Sequence, residues 1–132
     1  MAGTFYFIVV SPEGAVFDAD VEFVALPGTE GELGILPRHT PLIASLKSGV
    51  IRYTIDGKVK KMAVSGGFAE VEHNHVTVLA ETAELAESID ALRAEAAKSR
   101  AEKRMQDKAS KVDFARAEAS LRRAISRLQA RE

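Results

Sequence analysis

The chain has 132 residues, 46% of them hydrophobic and 28% charged, with a net charge of −1 and no cysteine. That length suits one domain with at most a small appendage, and the composition is that of a globular protein. Disulfide staples and thiolate metal sites are excluded, no apolar run approaches the roughly 18–20 residues that cross a bilayer, and a near-neutral total gives no indication of nucleic acid.

TFYFIVV (4–10) is β-branched and aromatic. It reads as a first strand rather than a signal sequence, having neither a basic start nor a small-residue cleavage site. The strand ends at the turn cluster Ser11-Pro12-Glu13-Gly14, and AVF (15–17) is a short return. VEFVAL (21–26) alternates Val21, Phe23 and Ala25 against Glu22, Val24 and Leu26, then stops at Pro27-Gly28. GELGILP (31–37) predicts a short strand because of its glycines and proline, and PLIASL (41–46) follows. GVIRYTI (49–55), Asp56-Gly57 and KVKKMAV (58–64) form the clearest hairpin. Asp-Gly supplies the two positive φ angles that a two-residue type I′ turn requires, and Lys58, Lys60 and Lys61 are suitable guards for an edge strand. Ser65-Gly66-Gly67 reads as a tight turn or bulge, since no helix follows to make a phosphate loop. GGFAEVE (66–72), a His73-Asn74 turn and HVTVLA (75–80) make a second hairpin, with the two histidines at its polar tip. About ten short strands at this spacing predict a β-sandwich or flattened barrel over residues 1–84.

From Glu81 onward the composition changes to Ala, Glu, Lys and Arg, with no Gly or Pro. These are strong helix formers. They predict two helices folded back as an antiparallel hairpin over 85–132, with Ser88 and Asp113 as N-caps and a break at 106–112. On the first helix, apolar or small residues fall at 89, 92 and 96 and also at 94, 97, 101 and 105. The second is better patterned, with Phe114, Ala117, Leu121, Ala124 and Leu128 in a 3-4-3-4 spacing. The near-neutral total conceals an asymmetry: residues 1–80 carry six Lys/Arg against nine Asp/Glu, whereas residues 98–131 carry eleven against four. With few large apolar side chains and about 15 residues per helix, such a hairpin closes weakly, and a ligand can decide its state.

No catalytic constellation is present: the chain lacks phosphate-loop, dinucleotide, zinc-protease and nucleophile-elbow motifs. The basic residues of the helices stand out instead. Arg93 and Arg100 are seven apart, and Arg123 and Arg127 four apart, so each pair shares one helix face. Folding the helices together brings four guanidiniums within reach of one polyphosphate, which arginine binds bidentately. Asp90, one turn before Arg93, can orient it or meet a base. The competing reading of these arginines is a solvated face with no specific ligand.

GELGILPRHTPL (31–42), SGGFAEV (65–71), VTVLAETAE (76–84), IDALRAEAAKSRAEKR and DFARAEASLRRAISRL together resemble the ε subunit of bacterial F-type ATP synthases, in order and along essentially the whole chain. The resemblance implies a non-catalytic rotor subunit, peripheral on the cytoplasmic face of the cell membrane. Its sandwich would bind the γ subunit and the c ring of a proton-translocating enzyme. Its helices would permit turnover when folded down and inhibit ATP hydrolysis when extended into the α/β catalytic head. It also implies ATP as a regulatory ligand, not hydrolysed and not requiring Mg on this chain. Ile89-Asp90-Ala91-Leu92-Arg93-Ala94 matches the family's I(L)-D-x-x-R-A motif, and the companion positions fall on Glu84, Arg100, Arg123 and Arg127. Glu32, Arg38 and His39 fall near the expected c-ring edge. Arg38 stands where the family often has glycine, which puts the local turn in question. The alternatives are a basic-tailed adaptor for nucleic acid or an acidic protein, disfavoured because the tail lacks stacking aromatics, and a small enzyme, disfavoured because no acid–base pair or nucleophile is evident.

Overall fold

The computed structural model describes residues 3–106 and 111–131. The side chains of 106 and 111–114 lie outside that description, and with them the expected core place of Phe114; of the expected break at 106–112, Gln106, Lys111 and Val112 are helical and 107–110 lie outside the described residues. Ten strands come first: β1 (Phe5–Ser11), β2 (Gly14–Val21), β3 (Phe23–Gly28), β4 (Gly31–Ile35), β5 (Leu42–Leu46), β6 (Gly49–Ile55), β7 (Lys58–Val64), β8 (Gly67–Glu72), β9 (His75–Ala80) and β10 (Ala83–Leu85). A 3₁₀ turn over Ala86–Ser88 leads into helices α1 (Ala91–Gln106) and α2 (Lys111–Arg131).

The strands form one hydrogen-bonded sheet in the order β10-β7-β6-β3-β5-β8-β9-β1-β2, with β4 pairing β3. The sheet folds over on itself as a sandwich, and all its pairings are antiparallel except β1 with β9. Between the layers lie Phe7, Val24, Leu26, Ile35, Ile51, Met62 and Val78, each at most 1% exposed. Phe7, Phe17 and Tyr53 meet with ring centroids 4.7–6.1 Å apart and tie β1, β2 and β6 together. Burial pushes the Tyr53 phenol above its ordinary range, and the carboxylate of Glu87 adds to the effect.

The two predicted hairpins form at their predicted turns. Asp56 and Gly57 have φ of 50° and 75°, and His73 and Asn74 have φ of 50° and 60°, as type I′ turns require. Two strand expectations are corrected. β2 runs on through Asp18 and Asp20, because its pairing with β1 (Ile8↔Asp18, Tyr6↔Asp20) continues to Val21 and outweighs the poor strand propensity of aspartate. VEFVAL is not one strand: the chain bends at Glu22, whose N–H donates to the Thr54 carbonyl and whose carboxylate accepts the Gly57 N–H at 2.9 Å. Val21, Val24, Ala25 and Leu26 are all buried, while Phe23 is half-buried. β10 was not foreseen. It covers β7 only at Met62–Val64, which leaves Lys58, Lys60 and Lys61 on the uncovered part of that edge.

Helix boundaries also differ. Ser88 lies in the 3₁₀ turn, and Asp90 caps α1 instead: its Oδ1 accepts the Arg93 N–H at 3.1 Å and its carbonyl accepts the Ala94 N–H at 3.0 Å. Asp113 lies inside α2, which starts at Lys111. Of the two candidate stripes on α1, the one carrying Ala94 and Ala101 is buried, at 2% and 1%, whereas Leu92 is 82% exposed. α2 packs against α1 and also over β6 and β7.

At the β7–β8 bend, Gly66 and Gly67 have φ of 69° and 127°, and a Cβ on Gly67 would meet the Leu79 carbonyl oxygen at 2.0 Å. Gly67→Ala is expected to lower unfolding free energy by more than ~2 kcal/mol, combining backbone strain with overpacking. In urea denaturation the midpoint falls while the slope stays constant; an unchanged midpoint contradicts the assigned backbone.

Candidate functional site

α1 and α2 approach closely because the contact positions are alanine: Ala94 and Ala101 on one, Ala117 and Ala124 on the other, all 2% exposed or less. Long side chains at the margins of such a contact are displaced to its rim. The helices run antiparallel, so Arg93 and Arg100 on α1 come opposite Arg127 and Arg123 on α2.

Two adjoining cavities lie along that rim. One, of about 210 Å³, is lined by Glu84, Ser88, Asp90, Arg93, Ala94, Ala97, Arg100 and Arg127. The other, of about 270 Å³, is lined by Ala97, Arg100, Ala101, Arg104, Ser120, Arg123 and Arg127. They share Ala97, Arg100 and Arg127 and together reach the size of an ordinary small-molecule site. Their electrostatics differ: the first mixes two carboxylates with three guanidiniums, and the second holds four guanidiniums and no acid. Guanidiniums gathered this closely repel one another and favour a polyanion among them.

Six of the eight expected residues, Glu84, Asp90, Arg93, Ala94, Arg100 and Arg127, line the first cavity, and Arg123 lines the second. Ile89 lines neither. It is 3% exposed in a separate small core with Ala63 and Ala130, where it anchors the residue before the Asp90 cap. The polar lining residues Ser88, Arg104 and Ser120 were not among those expected. Arg104 follows Arg100 by four, a helical-face spacing that could have singled it out.

Existing contacts orient these groups. Arg127 donates from Nε to Glu84 Oε1 at 2.9 Å, and its Nη2 lies 2.8 Å from the same oxygen as an ion pair, which joins α2 to β10. Arg123 Nη2 donates to Ser120 Oγ at 3.0 Å. No buried side-chain nitrogen or oxygen among the described residues lacks a partner. No cluster of three metal-binding side chains occurs among the described residues, so His73 and His75 form no such site; the His75 ring instead meets Tyr6 edge-on at 5.5 Å.

The residues expected near a ring-facing edge are not joined to one another. Glu32 pairs with Arg52. Arg38 takes φ of 61°, the conformation a glycine would supply, and its N–H donates to Asn74 Oδ1 at 2.8 Å. Asn74 in turn donates from Nδ2 to the Thr4 carbonyl. The turn is thus kept despite the side chain. His39 Nδ1 lies 2.7 Å from the Thr40 carbonyl.

Residues 4–86 match the family model described as ATP synthase, Delta/Epsilon chain, beta-sandwich domain, and residues 87–132 match the corresponding long alpha-helix domain. The chain is 63% identical over 105 residues to the ATP synthase epsilon chain of Desulfitobacterium hafniense (strain Y51), covering 80% of each. It is 50% identical over 101 residues to that of Bacillus subtilis, covering 76% of each. Its fold is similar to that of a chain in the Euglena gracilis mitochondrial ATP synthase, with a TM-score of 0.84 at 22% identity over 98% of this chain and 82% of that one.

The Glu84–Arg127 pair is about one-third exposed on each side, at 35% and 31%. A double-mutant cycle of Glu84→Gln and Arg127→Gln, read as helix unfolding in urea, is expected to give a coupling of about 1 kcal/mol, the value suited to a partly screened pair. Strictly additive single mutants contradict the pairing.

Proposed function

We propose a nucleotide-dependent regulator for this chain, which belongs to the ATP synthase delta/epsilon family, whose epsilon chains are non-catalytic subunits of the central stalk. The closed hairpin binds one ATP without hydrolysing it, and ATP holds the helices down on the sandwich. Without it the helices extend toward the catalytic head and inhibit ATP hydrolysis. The observation that carries this reading is the convergence of guanidiniums from both helices on one pair of cavities. Such a site exists only while the helices lie together.

The two cavities suit the two ends of a nucleotide. Arg100, Arg104, Arg123 and Arg127 meet the phosphates. Glu84 and Asp90 accept hydrogen bonds from base or ribose beside the small wall of Ala94. The phosphates are met by arginine, so the reading assigns no Mg to this chain. A ligand bound only by the closed state stabilises it by RT ln(1 + [L]/Kd), or ~2.7 kcal/mol at a hundredfold excess. That is enough to decide an equilibrium between thinly packed states.

The sandwich supplies the rotor contacts. On the outer face of β5, β8 and β9, Ile43, Phe68 and Leu79 are 72%, 59% and 56% exposed, and Phe68 and Leu79 are direct cross-strand partners. Such an apolar face supports docking to the γ subunit. Glu32, Arg38 and His39 are the proposed c-ring contacts, and the chain sits peripherally at the cytoplasmic face of the membrane. No described helix is long and apolar enough to cross it.

Equilibrium titration tests the site. Arg93→Ala and Arg127→Ala are each expected to weaken ATP binding at least about tenfold, ~1.4 kcal/mol, while poly-dT does not bind. Binding of DNA but not ATP favours the basic-tailed adaptor instead. In the whole ATP synthase, removal of residues 88–132 is expected to leave assembly with γ intact and raise ATP hydrolysis. Unchanged hydrolysis, or failed assembly, overturns the regulatory role of the helices.

A further inference from the structure

Arg131 lies outside both cavities yet holds a bond that joins the end of α2 to the segment entering α1. Arg131, in the last turn of α2, donates from Nη1 to the carbonyl of Ile89 at 2.6 Å, across 42 positions of sequence. Its neighbour Ala130 is 2% exposed and shares a small core with Ile89 at 3% and Ala63 at 5%, with Val50 against them. Ile89 is extended, with φ −83° and ψ 127°, and its own N–H donates to the Ala86 carbonyl. The bond from Arg131 therefore falls on the peptide directly ahead of Asp90, the residue that caps α1.

We propose that Arg131 is a positioning residue: by clasping the Ile89 carbonyl it latches the last turn of α2 to the start of α1 and sets the spacing between Arg93 and Arg127. Arg127 precedes Arg131 by one helical turn, and Arg93 follows Asp90 by one turn. Fixing Arg131 to Ile89 thus fixes both guanidiniums relative to each other without touching a ligand. The latch acts at the end of the hairpin away from the connection between the helices, where separation begins. It is a charge-assisted bond to a partly hydrated carbonyl. Beside it Ala130 seats against Ile89 and Ala63, so the latch is backed by a small apolar contact to which α2 itself contributes only an alanine. The latch itself stands on geometry; only its consequence for ATP rests on the function proposed above.

Hydrogen exchange of the full chain tests it, first without nucleotide. Amides of α2 between Ala117 and Ser126 exchange through opening of the hairpin. Arg131→Ala and Arg131→Gln are expected to speed that exchange on the order of three- to tenfold, the effect of losing one charged hydrogen bond discounted for exposure. Arg131→Lys should stay near the parent rate, because a single carbonyl needs one cationic donor and not a planar fork. Arg122→Gln, which removes only the exposed pair with Glu118, should change nothing, and strand amides of β6 should be unaffected throughout. Parent-like exchange in Arg131→Ala overturns the latch, as does a lysine variant no better than alanine. Saturating ATP should then return the alanine variant to slow exchange by mass action. If the parent chain binds no ATP, the nucleotide reading fails while the first comparison still decides the latch.

Discussion

The hairpin depends on how thinly its two helices are greased. Every fully buried residue described on α1 and α2 is small: Ala94, Ala101, Ala117, Ala124, Ser126 and Ala130. Leu121, Ile125 and Leu128 are only half-buried, and Leu92 faces solvent. Small residues permit close approach but remove little apolar area from water, whereas a fully buried Leu or Phe is worth ~1.5–3 kcal/mol. The sandwich is built the other way, around Phe7, Leu26, Ile35, Ile51 and Met62. One chain therefore joins a firmly cored body to an attachment whose closure rests largely on polar contacts. Those contacts include the Glu84–Arg127 pair and the Arg131 bond to the Ile89 carbonyl.

The same constraint explains how sandwich and helices communicate. β10 contributes Glu84 from a strand paired to β7 (Glu84↔Ala63), so one wall of the first cavity is as rigid as the sheet behind it. Arg93, Arg100, Arg123 and Arg127 come from the two helices, which meet the cavities from the other side. In the proposed regulator, a ligand there would bridge the sheet and the hairpin and thereby bias their arrangement. The leverage of such a ligand is set by its differential affinity for the two arrangements that the proposal invokes.

Much of this was legible in the residues. Asp56-Gly57 and His73-Asn74 placed the hairpin turns, the change of composition near Glu81 announced the helices although β10 still follows it, and arginine spacing singled out side chains that line the two cavities. The misses have physical causes. Strand extent in β2 is decided by pairing with β1, which local propensity does not contain. Glu22 bends the chain through hydrogen bonds to β6 and the following turn, contacts made across more than thirty residues. α1 carries two alanine-bearing stripes of similar quality, and only docking against α2 selects the one that buries Ala94 and Ala101. Asp90 caps where Ser88 was expected because the 3₁₀ turn uses Ser88 first. Arg38 accepts a left-handed conformation because Asn74, remote in sequence, holds its N–H. Arg131 continues the four-residue spacing of Arg123 and Arg127, but its carbonyl partner Ile89 lies 42 positions away and no local pattern contains it.

The central claim is that closure is weak enough for one polyanion to settle it. The chain has no cysteine, so spin labels at Arg122→Cys on α2 and Val59→Cys on the sandwich report their separation without background. Without nucleotide the account predicts a mixture of distances, collapsing on addition of ATP to the single distance of the folded-down form. One unchanging distance with and without ATP contradicts it.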